Sequence, residues 1–174
     1  MTDNLTIRRI DATQMGEQIA SLSHVLMNCV EGGASVNFMT PFTRTRADAF
    51  WLGVKDRVAA GTIDLFIAEL DGELAGTVQL VMAQPENQPH RADIAKMLVH
   101  RRARRRGVGR ALMTAAEQLA RAKGKTLLVL DTATQGDAER LYKALEWKAI
   151  GIVPGYALFP DGRLCDATFF YKQL

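Results

Sequence analysis

The chain has 174 residues, of which 48% are hydrophobic and 24% are charged, and its formal net charge is +3. This length and composition suit one domain over residues 1–174 and exclude a disordered chain, which combines low hydrophobicity with high net charge. No apolar run reaches the roughly 20 residues that cross a bilayer, and the first residues lack the pattern of a secretory signal. The sequence therefore predicts a cytoplasmic protein with no membrane partner.

The positive charge is concentrated at one place in the chain. Five arginines lie between residues 101 and 106, and without them the chain has a slight acidic excess. A protein that binds a nucleic acid duplex presents a broad basic face instead. Cys29 and Cys165 are far apart, and the three histidines have no metal-ligand spacing. We therefore expect no metal, no disulfide framework and no nucleic acid partner.

Two helices open the chain. A capping box at Asp11 precedes an apolar stripe of helical spacing, which predicts a helix that ends near Gly32. A second capping box, residues 45–48, predicts a helix that ends at Gly61. The loop between the helices is rich in small residues, and loops of this kind line binding sites.

Strands and helices alternate through the rest of the chain. The patterns predict a hairpin, a strand, an amphipathic helix, a buried strand, a short helix and two final strands: residues 63–82, 92–99, 108–123, 126–131, 134–145, 149–158 and 165–172. Thr134 is expected to cap the short helix, and Glu117 to lie on the polar side of the amphipathic one. Interleaved strands and helices predict an α/β (α+β) fold around one mixed sheet.

The most informative segment joins a strand to a helix through arginines and glycines. Its members are Arg104, Arg105, Arg106, Gly107, Val108, Gly109 and Arg110. Unpaired N–H groups at a helix start attract anions, glycine lets a phosphate approach the main chain, and arginine adds charge and forked donors. The segment therefore predicts a phosphate site, and a solvated charge run is the alternative.

Other phosphate-binding motifs fit this chain less well. A P-loop that ends in Gly124-Lys125-Thr126 would need its first glycine where Leu119 stands, and a dinucleotide fingerprint would need a glycine at Leu112. RNA would suit the arginines, but no interleaved aromatic residues offer a stacking platform beside them. RNA binding therefore stays as a minor alternative.

Two motifs resemble those of the GNAT superfamily of N-acetyltransferases. Arg104-x-x-Gly107-x-Gly109 resembles its acetyl-CoA signature, and Ala138-x-x-x-Tyr142 resembles its second motif. Four further segments are similar to the tabtoxin-resistance acetyltransferases: residues 32–39, 130–132, 154–156 and 160–164. The resemblance implies a central mixed, mostly antiparallel, twisted sheet of about six to seven strands flanked by about four helices. That sheet would be splayed between strands 92–99 and 126–131.

The resemblance also implies a co-substrate, acetyl-CoA, and an acceptor, the primary amine of an amino-acid-like or toxin-like small molecule. The cofactor-binding residues would be Met97, Leu98, Val99, Arg104, Arg105, Arg106, Gly107, Val108, Gly109, Arg110, Ala111, Gln135 and Ala138. The acceptor would contact Ser35, Asn37, Phe38 and Tyr156. The protein would be a monomer or a homodimer.

Amine acetylation needs a group that removes a proton from the ammonium and one that protonates the leaving thiolate. Tyr142, a neutral donor at physiological pH, is expected to serve the thiolate, and the alternative is a core tyrosine. Asp131, at the end of an apolar strand, is the first candidate base, although it could cap the next helix instead. Asp93 is the second, acting through a water, with a surface acid as the alternative. A non-catalytic acyl-CoA-binding module is the competing hypothesis for the whole chain.

Overall fold

The computed structural model describes residues 4–174, and seven strands within them form one sheet. In chain order these are β1 (Leu5–Ile10), β2 (Ile63–Leu70), β3 (Glu73–Met82), β4 (Arg91–Val99), β5 (Leu127–Ala133), β6 (Lys148–Leu158) and β7 (Leu164–Gln173). Their order across the sheet is β1-β2-β3-β4-β5-β7-β6. Every neighbouring pair is antiparallel except β4 and β5. The expected mixed, mostly antiparallel sheet is confirmed.

Four helices cover the two faces of this sheet: α1 (Ala12–Glu31), α2 (Arg44–Ala59), α3 (Val108–Ala122) and α4 (Asp137–Ala144). Buried residues of α1 and α2 form one apolar cluster with β2, and those of α3 and α4 form another with β3, β4 and β5. The helices therefore lie in pairs on opposite faces. No helix among residues 4–174 is long and apolar enough to cross a membrane.

The sheet opens between β4 and β5. The two strands pair in parallel over three residues only, from Arg91 with Leu127 to Asp93 with Val129. Beyond that rung they separate, while β5 stays paired with β7 as far as Ala133. The expected splay is confirmed. Beyond Asp93 it leaves the main-chain groups of β4 on the β5 side without a neighbouring strand.

A bulge marks β4 just beyond the opening. Thr77 pairs with Leu98 and Gln79 with Ala95, so β4 carries one residue more than β3 at this point. Lys96 lies in the bulge with a φ of 47°, and its carbonyl accepts a hydrogen bond from Thr77 Oγ1 at 3.0 Å. A Cβ on Gly76 would lie 2.6 Å from the Leu98 carbonyl oxygen, so only glycine permits this close approach of the strands.

Two predicted helix caps are wrong. Thr43, not Thr45, caps α2, and its side chain accepts from Arg46 N at 3.4 Å. Thr134 does not cap α4, because its hydroxyl is hydrogen-bonded to that of Thr168 at 2.9 Å and the helix begins after Gly136. In both places a nearby residue had the better geometry for the cap, which residue type alone does not reveal.

Three strand and helix positions also differ from expectation. β5 does not end at Asp131 but continues to Ala133, because β7 stays paired with it past the point where β4 leaves, and Asp131 pairs with Phe169. Glu117 is only 6% exposed and accepts hydrogen bonds from Trp147 Nε1 at 2.9 Å and Lys172 Nζ at 2.7 Å. The sequence patterns did not predict β1, a short edge strand.

Candidate active site

Two carboxylates lie where β4 and β5 separate. Asp93 occupies the last shared rung, opposite Val129, and Asp131 follows two residues later on β5. Because side chains alternate along a strand and Leu130 belongs to the cluster beneath α3, Asp131 faces the side of α1 and α2. Asp131 is solvent-exposed there. The opening of the sheet therefore presents an accessible carboxylate.

Asp93 is the more constrained of the two acids. It is half-buried and forms an ion pair with Arg91. Burial raises the pKa of its carboxyl above the ordinary value, Arg91 opposes this, and the charge of Asp131 adds to it. The two carboxylates therefore influence each other, although the charge of Asp93 is largely committed to Arg91.

A cavity of about 280 Å³ opens beside Asp131. The loop between α1 and α2, the end of β5 and the β6–β7 hairpin form its walls, which are lined by Ser35, Asn37, Phe38, Met39, Asp131, Thr132, Ala133, Tyr156, Ala157, Leu158, Cys165 and Ala167. All four residues expected to contact the acceptor therefore line the same cavity as the first candidate base.

Hydrogen bonds fasten the walls of this cavity together. Ser35 Oγ donates to the Leu158 carbonyl at 2.7 Å, and Thr40 donates twice to the Pro160 carbonyl, from N at 3.0 Å and from Oγ1 at 2.8 Å. Tyr156, 53% exposed, packs edge-on against Phe169 with ring centroids 5.1 Å apart. The hydroxyl of Ser35 thus fixes the α1–α2 loop to the β6–β7 hairpin, and the exposed side chain of Tyr156 lies at the rim of the cavity.

Tyr142 approaches the opening from the other face. It lies on α4, is 4% exposed, and packs against Trp147 and Phe170 with centroid distances of 6.1 Å and 5.9 Å. Burial and the charge of Asp131 raise the pKa of its phenol above the ordinary value. The phenol is therefore a neutral hydrogen-bond donor throughout the physiological pH range.

The expected phosphate site lies at the start of α3. Arg105 and Gly107 adopt positive φ values of 61° and 80°, and α3 begins at Val108 without a side-chain cap. A Cβ on Gly107 would meet nothing within 4 Å, so the main chain here faces open space. The first helical hydrogen bond runs from Ala111 N to the Gly107 carbonyl. The main chain ahead of Ala111 can therefore receive an anion.

Gly109 faces a different environment from Gly107. A Cβ at this position would lie 2.9 Å from Leu141 Cδ2 and 3.6 Å from Met97 Sδ. The space that a side chain would need at this position is therefore occupied by residues of α4 and β4. Gly109 allows α3 and α4 to pack closely, and Gly107 borders open space.

The arginines of this segment are not equivalent. Arg102 pairs with Glu73 at 2.9 Å and Arg106 with Asp71 at 3.0 Å, which fastens the loop to the β2–β3 turn. Arg104 Nε donates to the Val99 carbonyl at 3.4 Å. Arg105 and Arg110 are exposed and form no ion pair with the described residues. These two retain their full charge for a ligand.

The remaining residues expected to bind the cofactor line the two sides of the opening. Leu98 is buried, and Met97 and Val99 pack against the cluster beneath α3. Ala138 packs against the same cluster from α4. Gln135 has a φ of 64°, and its N–H donates to Glu139 Oε2 at 2.6 Å. The opening is thus bordered by main chain from β4 and by the start of α4.

Sequence patterns did not single out Lys96. It is half-buried, and its Nζ lies 5.8 Å from the centroid of the Phe50 ring. Burial lowers the pKa of its ammonium, and the charge of Asp131 opposes that change. A lysine in a strand is ordinarily a surface residue, and only the bulge, which strand periodicity does not predict, turns Lys96 toward Phe50.

Residues 4–174 contain no group of three or more His, Cys, Asp or Glu side chains placed to hold a metal ion.

Comparisons with known sequences identify the family of this chain. The model of the acetyltransferase (GNAT) family matches residues 34–147. An uncharacterized N-acetyltransferase from the hisH-hisA intergenic region of Azospirillum brasilense is 34% identical over 136 residues, which cover 75% of this chain and 76% of the relative. The chain therefore belongs to the GNAT family of acetyltransferases.

Solved structures share the whole fold. An N-acetyltransferase from Staphylococcus aureus Mu50 superposes with a TM-score of 0.79 at 20% identity, covering 98% of both chains. The yncA protein of Salmonella typhimurium, solved with its cofactor acetyl-CoA, gives 0.78 at 22% identity and covers 98% of this chain and 94% of its own. At these identities the likeness concerns the fold.

Proposed function

We propose that this protein transfers an acetyl group from acetyl-CoA to the primary amine of a small molecule by direct attack in a ternary complex. The observation that carries the proposal is the opening between β4 and β5, with Asp131 and the cavity on one face and Tyr142 on the other. A group placed in that opening would be reached from both sides. Direct transfer needs this arrangement and no covalent acyl-enzyme.

The residues around the opening fit acetyl-CoA. The uncapped start of α3, the open main chain at Gly107 and the exposed Arg105 and Arg110 suit a diphosphate. Main-chain groups of β4 beyond Asp93 have lost their β5 partners and suit the amides of a pantetheine arm. When bound, acetyl-CoA supplies the thioester from which the acetyl group is transferred.

Each candidate side chain has one proton to move. Asp131 accepts a proton from the acceptor ammonium, and the freed amine forms the new C–N bond as the C–S bond breaks. Tyr142 donates its phenolic proton to the leaving sulfur, which its raised pKa permits because the phenol remains protonated. The second proton that this nitrogen loses passes through water to the Tyr142 phenolate, which restores the neutral phenol after the sulfur has been protonated. Asp93 forms an ion pair with Arg91 and contributes to the charge balance of the site. It is the second candidate for the base, after Asp131.

The acceptor pocket favours a small molecule. Its volume of about 280 Å³ lies near the lower limit of pockets for drug-sized ligands, roughly 300–1,000 Å³. Hydrogen bonds from Ser35 and Thr40 close it at the β6–β7 hairpin. A pocket of this size suits a single small amine better than a protein segment.

Coenzyme A release from acetyl-CoA across a panel of small primary amines tests the proposal. Tyr142→Phe should lower turnover by about 100-fold, since general acids contribute roughly 10²–10⁴-fold, while acetyl-CoA still binds. Tyr171→Phe is the matched control, because Tyr171 lies on β7 outside the cavity lining. Binding of acetyl-CoA without turnover on any amine would instead support a non-catalytic acyl-CoA-binding module.

A further inference from the structure

We propose that Lys96 binds a carboxylate of the acceptor, so that the preferred acceptors carry a carboxylate close to the amine that is acetylated. This inference rests on the proposed function and assigns Lys96 a role in acceptor selection. It follows from the contact of the lysine with Phe50, which packs against the cavity residue Phe38, from the absence of a counter-ion among residues 4–174, and from the opposite charge of Asp131.

Lys96 lacks the partner that a half-buried charge ordinarily has. No carboxylate among residues 4–174 lies within ion-pair distance of its ammonium, and its side chain donates no hydrogen bond to them. Its ammonium lies over the Phe50 ring, 5.8 Å from the ring centroid. Removing a cation from water without an anion is costly, so an anion that arrives with a ligand would be stabilised beside this ammonium.

The backbone holds Lys96 in a conformation that its residue type disfavours. A φ of 47° is rare for a residue with a long side chain, and it persists here because Thr77 Oγ1 binds the Lys96 carbonyl. Bulges next to active sites re-aim side chains in this way. The bulge thus directs the lysine to the face of the sheet where Phe50 and the acceptor cavity lie.

Aromatic contacts connect Lys96 to the cavity. Phe50 packs edge-on against Phe38 with ring centroids 5.3 Å apart, and Phe38 lines the cavity. Asp131 lines the same cavity, and its charge acts on the Lys96 ammonium. One end of the site therefore attracts an ammonium and the other an anion.

This pair of charges matches an acceptor that is itself a zwitterion. Asp131 would hold the amine that is acetylated, and Lys96 would hold the carboxylate. Lys96 offers a single positive point charge, which suits a monoanion, whereas a phosphate dianion is typically held by forked arginine donors. The exposed Arg105 and Arg110 lie at the start of α3, where the diphosphate of acetyl-CoA is proposed to bind. We therefore assign a carboxylate to Lys96.

Matched pairs of acceptors test the assignment. Each pair consists of an α-amino acid and its carboxamide, which differ in the anionic group only. The full-length protein, Lys96→Met and Lys96→Arg are assayed by coenzyme A release at saturating acetyl-CoA. Lys148→Met is the matched control, since Lys148 is an exposed lysine of β6, whereas Lys96 is half-buried and contacts Phe50. Comparing preferences between variants cancels the intrinsic difference in amine reactivity within each pair.

We expect the unaltered protein to prefer the amino acid by about tenfold or more in kcat/KM, the effect of one charged hydrogen bond. Lys96→Met should reduce that preference to within about twofold by raising the KM of the amino acid. Lys96→Arg should keep part of it, and Lys148→Met all of it. The affinity for acetyl-CoA, measured by calorimetry, should stay unchanged in every variant.

Two results overturn the inference in different ways. Equal use of both members of each pair by the unaltered protein, or an equal loss on both in Lys96→Met, shows that Lys96 binds no carboxylate and leaves the acetyltransferase proposal standing. No turnover of any amine, with acetyl-CoA bound, rejects the inference together with the proposed function. A preference that Lys96→Met abolishes supports both.

Discussion

The two sides of the opening are built in different ways. The side proposed to bind the diphosphate, called here the phosphate side, is one continuous segment from Arg104 to the first turn of α3. It offers mostly main-chain groups. The acceptor side combines the α1–α2 loop, β5, β6 and β7, and it offers mostly side chains. Changes to the first side should therefore alter acetyl-CoA affinity, and changes to the second should alter turnover and acceptor choice.

Asp131→Asn should produce the largest effect and should lower turnover of the acceptor without changing acetyl-CoA affinity. An amide cannot accept the proton from the ammonium, and general bases contribute about 10²–10⁴-fold, so kcat should fall within that range. Stopped assays with an active amine measure kcat, and calorimetry measures acetyl-CoA affinity, which should not change.

Asp56→Asn is the control for this substitution, because Asp56 is an exposed acid of α2 outside the cavity lining. An unchanged kcat in Asp131→Asn would transfer the base role to Asp93 or to water. A weakened affinity for acetyl-CoA would show that the acceptor side also contributes to acetyl-CoA binding, which contradicts the separation of roles between the two sides.

The contrast between the two sides also decides what a sequence can reveal. The phosphate side could be predicted from the sequence because the strand, the arginines, the glycine and the helix start follow one another along the chain. Their spacing alone predicts an anion site at the helix start. The same proximity did not distinguish Gly107 from Gly109, because Leu141 comes from a separate helix. The acceptor side depends on contacts between distant segments, and only family resemblance brought Ser35 and Tyr156 together before the fold was known.

Two missed residues show the physical limit of periodicity. Helical spacing placed Glu117 on the polar side of α3, but Trp147 and Lys172 fold over it from 30 and 55 residues away. Strand periodicity does not predict the position of Lys96, because a single extra residue in β4 interrupts the alternation of side chains. Both depend on tertiary contacts, which local patterns do not encode.

Gly107→Val should have the next largest effect and should act on binding. A branched side chain disfavours a φ of 80° and would fill the open space at the main chain. Each hydrogen bond to a charged group contributes about 1.5–3 kcal/mol, so losing two should weaken acetyl-CoA binding by about 100-fold or more. Calorimetry measures the dissociation constant directly.

Gly124→Val separates ligand loss from backbone strain. Gly124 follows α3, has a φ of 71° and is equally open, so its substitution imposes similar strain away from both sides of the site. Thermal unfolding should show comparable losses of stability for the two variants. Equal acetyl-CoA affinities would mean that the phosphate site lies elsewhere.

Asp93→Asn should give the smallest effect, visible as a pH dependence of stability. Because burial raises the pKa of the Asp93 carboxyl, the folded protein binds this proton more tightly than the unfolded chain does. The contribution to stability is complete below the ordinary aspartate pKa of about 3.9 and is lost as the pH rises through the raised value. Asparagine does not titrate, so the unaltered protein should lose stability relative to Asp93→Asn over that interval.

Urea unfolding of both proteins from acid to neutral pH measures this difference. A constant offset would reflect only the lost ion pair with Arg91, whereas a slope of the expected sign reports the titration. The same variant should keep most of its turnover, because Arg91 already engages the Asp93 carboxylate. A loss of turnover as large as that of Asp131→Asn would mean that the two acids act as one coupled unit.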